Sequence, residues 1–242
     1  MGLEIRDCPS PNHGPRRGGV IAPDLVVLHY TAMRGGPGLA IKRLCDPCTE
    51  VSCHYVVGER GDIARLVPDD RRAWHAGAGR WGGSDDVNSR SLGIELSNDG
   101  AAPFPAPQMD ALEALLDVLM ARHGIPPEGV IGHSDCAPGR KIDPGARFDW
   151  RRLARGGRAV WPRAGVAAPT GGFRDDLRAF GMSFEASDEV LLAAFRLHFR
   201  PGATGPLDET DAGLARDLAR RHPARLAAPA GGNSIDACAG RA

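Results

Sequence analysis

The sequence has no excess of charge of either sign, very little lysine and no long apolar run. It contains 242 residues with 30 basic and 30 acidic side chains, so the formal net charge is zero. The basic patch that nucleic-acid-binding proteins present is therefore not expected. No stretch approaches the roughly 18 consecutive apolar residues of a membrane-spanning helix. We expect neither nucleic acid nor a membrane among the partners.

The first eight residues lack the apolar core of a secretory signal peptide, because acidic and basic side chains interrupt them. This pattern favours a cytoplasmic location, with the periplasm as the alternative.

Six cysteines are present, and three of them lie close together in the sequence. Cys45 and Cys48 have C-x-x-C spacing, and Cys53 and His54 follow them. Reduced thiols are the interpretation that suits a cytoplasmic protein. A disulfide, or a structural zinc site completed by His54, is the alternative.

Short strand patterns alternate with helix patterns over residues 1–160. The predicted strands are 25–28, 54–57, 62–67, 91–96 and a short one that ends at 133. The predicted helices are 39–44 and 108–123, the second with one apolar face at three- and four-residue spacing. The pattern predicts an α/β domain with a mixed central sheet flanked by helices.

The remaining residues predict a small three-helix C-terminal domain. Residues 161–172 are rich in proline, glycine and alanine and are interpreted as a linker. Helices are predicted at 173–180, 188–199 and 208–221, within a domain spanning 173–222. The tail, 223–242, is predicted to be disordered.

Three residues in two segments are candidate ligands of a metal ion. His29 ends an apolar run, and His133 and Asp143 share a segment in which Pro138 and Gly139 allow the chain to fold back. Two imidazoles and one carboxylate suit Zn²⁺, and three protein ligands leave a fourth position for water. Taken singly, each residue is more often a surface or capping residue than a ligand.

Two further residues suit the chemistry of a metal-bound water. Glu95 interrupts an apolar strand pattern, and burial would raise its pKa and fit it as a general base. A solvated position on an edge strand is the alternative for Glu95. Lys141 is one of only two lysines and lies two residues before Asp143. It can stabilise an oxyanion, or be an ordinary surface lysine.

Five segments, which follow one another in the same order as in a known family, together carry a resemblance to that family. They are Val27–Ala32, Val51–Val56, Ala73–Gly77, Ser91–Leu96 and His133–Gly145. The chain resembles the zinc-dependent N-acetylmuramoyl-L-alanine amidases of the AmpD/AmiD type, which are related to peptidoglycan recognition proteins. The segment from Phe195 to Thr210 is similar to the three-helix peptidoglycan-binding module of AmiD-like enzymes. A helical appendage that only packs on the catalytic domain is the alternative.

The resemblance implies a role for each candidate residue. Zinc would be held by His29, His133 and Asp143, with Glu95 as general base and Lys141 stabilising the transition state. The residues implied in substrate binding are Trp74, His75, Asn88, Arg90 and Arg140. The expected substrates are muropeptides, hydrolysed by a monomer in cell-wall recycling or turnover. A non-catalytic recognition module and a cysteine-rich redox or structural-zinc protein are the alternative functions.

Overall fold

The computed structural model describes residues 3–224. Residues 225–242, which include Cys238 and most of the predicted disordered tail, lie outside the described residues. Within residues 3–224, no helix is both long and apolar enough to cross a membrane.

A mixed sheet forms the centre of the fold. The strands are β1 (Ile5–Asp7), β2 (His13–Pro15), β3 (Leu25–Tyr30), β4 (Tyr55–Val57), β5 (Ile63–Arg65), β6 (Arg71–Ala73), β7 (Ser91–Leu96) and β8 (Val130–Gly132). The central sheet has the order β1-β5-β4-β7-β3-β8, in which only β4 and β5 pair antiparallel. β2 and β6 form a separate two-stranded ribbon. The strands predicted at 54–57 and 62–67 are confirmed as β4 and β5, which pair antiparallel as a hairpin.

Helices cover both faces of the sheet. They are α1 (Pro37–Leu44), α2 (Val87–Arg90), α3 (Ala106–His123), α4 (His133–Cys136), α5 (Trp150–Arg155), α6 (Phe173–Phe180), α7 (Asp188–Phe199) and α8 (Glu209–Arg221). The helices predicted near 39–44, 108–123 and in the C-terminal segment are confirmed within a few residues. Side chains cap the last two helices, since Ser187 accepts a bond from Val190 N and Asp208 accepts one from Asp211 N.

The alternation of side chains along β3 decides which residues face the site. Val26 and Leu28 point into the core beneath α3, where Leu112 and Leu116 are fully buried. Leu25, Val27 and His29 point to the opposite face, because successive side chains of a strand alternate. His29 is therefore the last residue of a buried row on the face that α3 does not cover.

The C-terminal helices cover that second face and share its core. Phe173, Phe195 and Phe199 belong to the same buried cluster as Val27 of β3 and Ile131 of β8. The helices therefore complete the hydrophobic core of the sheet, although the sequence pattern predicts a separate small domain after a linker. Whether residues 173–222 also fold alone remains a prediction.

Two details of the strands differ from the sequence interpretation. His133 does not end a strand: β8 stops at Gly132, and His133 begins α4. The edge-strand alternative for Glu95 is wrong, because β7 lies in the middle of the sheet between β4 and β3. The apolar pattern around Glu95 reflects a strand that is covered on both faces.

Candidate active site

Three buried side chains converge at the carboxyl ends of neighbouring strands. His29 Nδ1 lies 2.9 Å from His133 Nδ1 and 2.9 Å from Asp143 Oδ2, and His133 Nδ1 lies 3.0 Å from the same oxygen. Within residues 3–224 this is the only group of three or more His, Cys, Asp or Glu side chains placed to hold a metal ion. The site predicted from the sequence is thus one compact cluster.

The sheet and one turn bring these ligands together across more than a hundred residues of chain. β3 and β8 are adjacent and parallel, with Leu28 opposite Gly132, so His29 and His133 extend from neighbouring strand ends. Asp143 is attached to the same turn by its backbone, because Ser134 N donates to Asp143 O at 3.0 Å.

A hydrogen-bond chain fixes the tautomer of His29. Ser91 Oγ donates its only proton to Val87 O at 2.7 Å. In its contact with His75 Nε2 at 3.2 Å, Ser91 Oγ is therefore the acceptor and His75 Nε2 the donor. His75 Nδ1 is then an acceptor, and His29 Nε2 donates to it at 3.0 Å. The Nδ1 lone pair of His29 therefore points at the cluster.

His133 is fixed in the same sense by a backbone carbonyl. Its Nε2 donates to Ala76 O at 2.9 Å, which leaves the Nδ1 lone pair free. Such outer hydrogen bonds orient the histidine ligands of metal sites.

The cluster therefore consists of three electron-pair donors that face one another. With both Nε2 protons engaged elsewhere, His29 Nδ1, His133 Nδ1 and Asp143 Oδ2 meet at about 3 Å with mutually repelling lone pairs. Burial and the neighbouring His133 lower the pKa of His29 to about 4, which disfavours a proton there. A divalent cation relieves this repulsion, and a set of two nitrogens and one oxygen fits Zn²⁺.

Glu95 lies beside the ligands because the strand register places it there. It is paired directly with His29 across β3 and β7, so both side chains leave the same face of the sheet. Its Oε2 atom is buried and has no hydrogen-bond partner among residues 3–224. Burial raises the pKa of Glu95 to about 8; Asp143 adds to this effect and Lys141 opposes it.

Comparison with known proteins identifies the family. The family model for N-acetylmuramoyl-L-alanine amidase matches residues 19–146, more than half of the chain. The chain belongs to this family. AmiD of Escherichia coli (strain K12) is 34% identical over 232 residues, which is 82% of this chain and 83% of AmiD. AmpD of Enterobacter cloacae is 32% identical over 62% of this chain and 89% of AmpD.

Solved structures agree with this family assignment and confirm the predicted fold. The complex of E. coli AmiD with anhydro-N-acetylmuramic acid-L-Ala-D-gamma-Glu-L-Lys matches with a TM-score of 0.75 at 32% identity, covering 86% of this chain and 93% of that one. AmpDh3 of Pseudomonas aeruginosa matches with a TM-score of 0.74 at 30% identity, covering 84% and 93%.

The three candidate metal ligands of this amidase line a cleft of about 530 Å³. Five other predicted site residues line it, namely Trp74, His75, Glu95, Arg140 and Lys141. The sequence interpretation missed the opposite wall, to which Met33, Arg43 and Leu44 contribute. The position of Arg43 in the last turn of α1 gives no signal by itself, because only the packing of α1 beside β4 turns it toward the cleft.

Asn88 and Arg90 do not line the cleft and instead support the loop that forms its wall. Asn88 Oδ1 accepts from the backbone N–H groups of His75 and Ala76 at 3.1 and 2.8 Å. Arg90 is buried, pairs with Asp24 at 2.6 Å and donates to Trp81 O at 2.9 Å. These contacts favour a supporting role for both residues.

Arg140 is partly committed to the same loop. Its guanidinium donates to Ala76 O and, at 2.8 Å, to Ala78 O. The side chain is nevertheless exposed at the edge of the cleft. Its predicted contact with a peptide carboxylate stays a prediction.

The cysteines form no second metal centre among residues 3–224. Cys45, Cys48 and Cys53 form no disulfide with another cysteine of the described residues, and both ring nitrogens of His54 are engaged with the backbone at Gly93 and Arg71. Cys136 is buried close to His133, but its Sγ donates to His133 O, and burial raises the pKa of the thiol. The alternative of a structural zinc site at Cys45 finds no support here.

Proposed function

We propose that this chain is a zinc-dependent N-acetylmuramoyl-L-alanine amidase. It hydrolyses the amide bond between N-acetylmuramic acid, or its 1,6-anhydro form, and L-alanine in peptidoglycan fragments. One observation carries the proposal: three lone pairs converge within about 3 Å beside the half-buried carboxyl group of Glu95, whose Oε2 atom is buried and whose pKa is raised. The solved complexes of AmiD and AmpDh3 with anhydromuramyl peptides support the substrate class.

His29, His133 and Asp143 would hold the zinc ion. When bound, zinc polarises the substrate carbonyl and lowers the pKa of water toward about 7. Glu95 accepts a proton from the attacking water and later delivers it to the amine of L-alanine, which leaves as the amide C–N bond breaks. Burial, which raises the pKa of Glu95, suits a carboxyl group that must first take up and then release that proton.

Lys141 and the walls of the cleft complete the chemistry. Lys141 lines the cleft close enough to Glu95 to lower the pKa of that group. Its ammonium stabilises the negative charge that develops on the carbonyl oxygen of the substrate. Trp74 and Arg140 lie at the cleft and are the residues we assign to substrate contact.

The second candidate function, recognition without cleavage, predicts that a ligand or the base is missing. The cleft contains both, so we favour hydrolysis. We further propose that the C-terminal helices contribute to peptidoglycan binding, although their shared core equally suits a structural role. The cytoplasmic location stays a prediction.

The test is a digest of purified muropeptides followed by mass spectrometry. The zinc-loaded full chain should release free stem peptide from muramyl or 1,6-anhydromuramyl peptides, and a chelated sample should release none. The preferred sugar then distinguishes turnover of intact wall from recycling. If zinc is shown to be bound and neither substrate is cleaved, the chain is a recognition module.

A further inference from the structure

A buried polar pair joins the C-terminal helix α7 to the turn that carries a metal ligand. His198 Nδ1 donates to Asp135 Oδ2 at 2.7 Å. The side chains are 2% and 0% exposed, so solvent does not weaken the contact. His198 lies on the face of α7 that packs against α4, and Asp135 lies two residues after His133.

Asp135 holds the backbone immediately before the ligand. The same oxygen, Oδ2, accepts from Gly132 N at 2.7 Å and closes the first turn of α4, at whose first position His133 stands. Ser134, between them, is bonded through its N–H to Asp143 O. The orientation of the Asp135 carboxylate thus sets the direction in which His133 leaves the backbone, and the position of Asp143 relative to it.

His198 is itself fixed by aromatic packing on both faces. Its ring stacks on Trp150 at 3.7 Å between centroids and on Phe199 at 3.8 Å, with interplanar angles of 19° and 8°. Trp150 also packs closely on Gly132, where an added Cβ would lie 3.3 Å from its ring. The imidazole therefore cannot swing away without disturbing the aromatic packing behind the turn.

The pair is a poor device for stability alone. Asp135 Oδ1 and His198 Nε2 are buried, and neither has a partner among residues 3–224. Buried ion pairs are often no more stabilising than apolar residues of the same volume. What the pair supplies, and an apolar pair cannot, is a direction for the carboxylate that bonds to Gly132.

We propose that His198 is a positioning residue for the metal site. Through Asp135 it holds the turn in which His133 binds the metal, so that α7 forms part of the outer support of the catalytic centre. This inference rests on the proposed zinc-dependent function. It assigns the C-terminal helices a role in the chemistry of the site beyond any binding of peptidoglycan.

The test measures zinc affinity of the full chain by competition with a chromophoric chelator. His198→Phe keeps the ring stack and removes the donor, and we expect zinc affinity to fall about 10- to 100-fold, as for other lost outer contacts of metal ligands. His198→Asn keeps a donor near the Nδ1 position and should restore most of the affinity. Asp135→Asn should weaken binding as His198→Phe does, and the double variant should be no weaker than either single one.

Leu218→Ala is the matched control, because Leu218 is fully buried in the same core but lies on α8, whereas the pair lies on α4 and α7. It should reduce resistance to urea and leave zinc affinity within about twofold of the wild type. Equal losses in this control and in His198→Phe would show a stability effect and overturn the inference. So would wild-type affinity in a folded His198→Phe chain.

Two further outcomes separate this inference from the proposed function. If the wild-type chain binds no zinc, the proposed function fails before the question of His198 arises. If His198→Phe does not fold, Asp135→Asn and His198→Asn decide: weak binding by the former together with near-normal binding by the latter supports the inference, and the absence of that difference overturns it.

Discussion

At the scale of single residues, the site depends on where each proton lies. His29 and His133 each spend an Nε2 proton on an outer acceptor, which leaves two nitrogen lone pairs and a carboxylate oxygen in mutual contact. Glu95 lies beside them, with a buried Oε2 atom that no side chain or backbone group of the described part of the chain contacts by a hydrogen bond. Its carboxyl group is thus separated in function from that of Asp143, whose Oδ2 is one of the three electron-pair donors placed to hold a metal ion.

Glu95→Gln should abolish proton transfer while leaving the ligands in place. We expect turnover to fall about 10²- to 10⁴-fold, the usual contribution of a general base. The measurement is the release rate of stem peptide together with the zinc content of the variant. Full turnover with zinc bound would exclude Glu95 as the base.

The raised pKa of Glu95 also predicts a pH dependence of stability in the metal-free chain. The group ionises near 4.5 when unfolded and near 8 when folded, so its stabilising contribution is complete below pH 4.5 and is lost as the pH rises toward 8. From this cause, the free energy of unfolding changes by at most about 1.4 kcal/mol per pH unit. Urea unfolding of wild type and Glu95→Gln should give free energies whose difference changes in the variant's favour over that range.

Since His29 titrates in the opposite sense, only this difference isolates Glu95. Because the pKa of His29 is lowered to about 4, this residue stabilises the folded chain at pH values above the ordinary pKa of histidine. That stabilisation is lost as the pH falls through 4. If the difference in unfolding free energy between wild type and Glu95→Gln does not change with pH, the pKa of Glu95 in the folded chain is that of an ordinary carboxyl group.

The Ser91 hydroxyl ends the hydrogen-bond chain that runs through His75 and orients His29. Ser91→Ala removes the acceptor of His75 Nε2, and we expect zinc affinity to fall about tenfold. Chelator competition measures this. Ser97→Ala is the control, because Ser97 is buried just beyond the same strand but bonds to Glu59. An equal loss in both variants would contradict the assigned role of the chain.

At the scale of elements, β7 and α7 each do more than fill the core. β7 is apolar on the α3 side and bears Ser91, Gly93 and Glu95 on the other. Gly93 is required there, because an added Cβ would lie 2.5 Å from the ring of His75. One strand therefore supplies the proposed base Glu95, the end of the hydrogen-bond chain that orients His29, and the space that the ring of His75 occupies in that hydrogen-bond chain.

The outer side of α7 offers a place to test peptidoglycan binding by the C-terminal helices. A cleft of about 590 Å³ lies between α7 and the loop at 202–207, and the exposed Ala193 lines it. In a Glu95→Gln background, Ala193→Arg should reduce co-sedimentation with insoluble peptidoglycan at least threefold if this cleft binds wall. Ala179→Arg, at an exposed position of α6, is the control, and this variant should co-sediment with peptidoglycan normally. Equal binding by both variants would leave the helices with a structural role.

At the scale of the whole molecule, the sheet and the C-terminal helices share one hydrophobic core. Val27 and Ile131 of the sheet are buried with Phe173 and Leu177 of the first C-terminal helix. Separating the C-terminal helices from the sheet would expose apolar side chains of both parts to water, which is unfavourable for both. The fold is therefore expected to respond as one cooperative unit.

Urea unfolding should show one transition for the whole chain. Leu177→Ala should lower the free energy of unfolding by about 2–5 kcal/mol, the cost of a cavity in a packed core. Tryptophan fluorescence, from residues outside the last three helices, and circular dichroism at 222 nm should give coincident curves before and after the change. Two separated transitions would support an independent C-terminal domain.

Much of the architecture could be predicted because its causes are local. The leucine spacing of α3, the glycine turn between β4 and β5 and the capping residues Ser187 and Asp208 act within a few positions of the chain. Short elements without such signals, including β1, β6 and α5, were missed. They owe their conformation to neighbours far away in the sequence.

The sequence by itself determined the residue types of the site and the α/β pattern that carries them. Only the tertiary structure decided that Glu95 lies in a central strand beside His29, that Asn88 and Arg90 support a loop rather than line the cleft, and that His198 reaches the turn of His133. The physical reason is range. Helix and strand periodicity is read over a few residues, whereas side-chain contacts depend on strand order and register across more than a hundred.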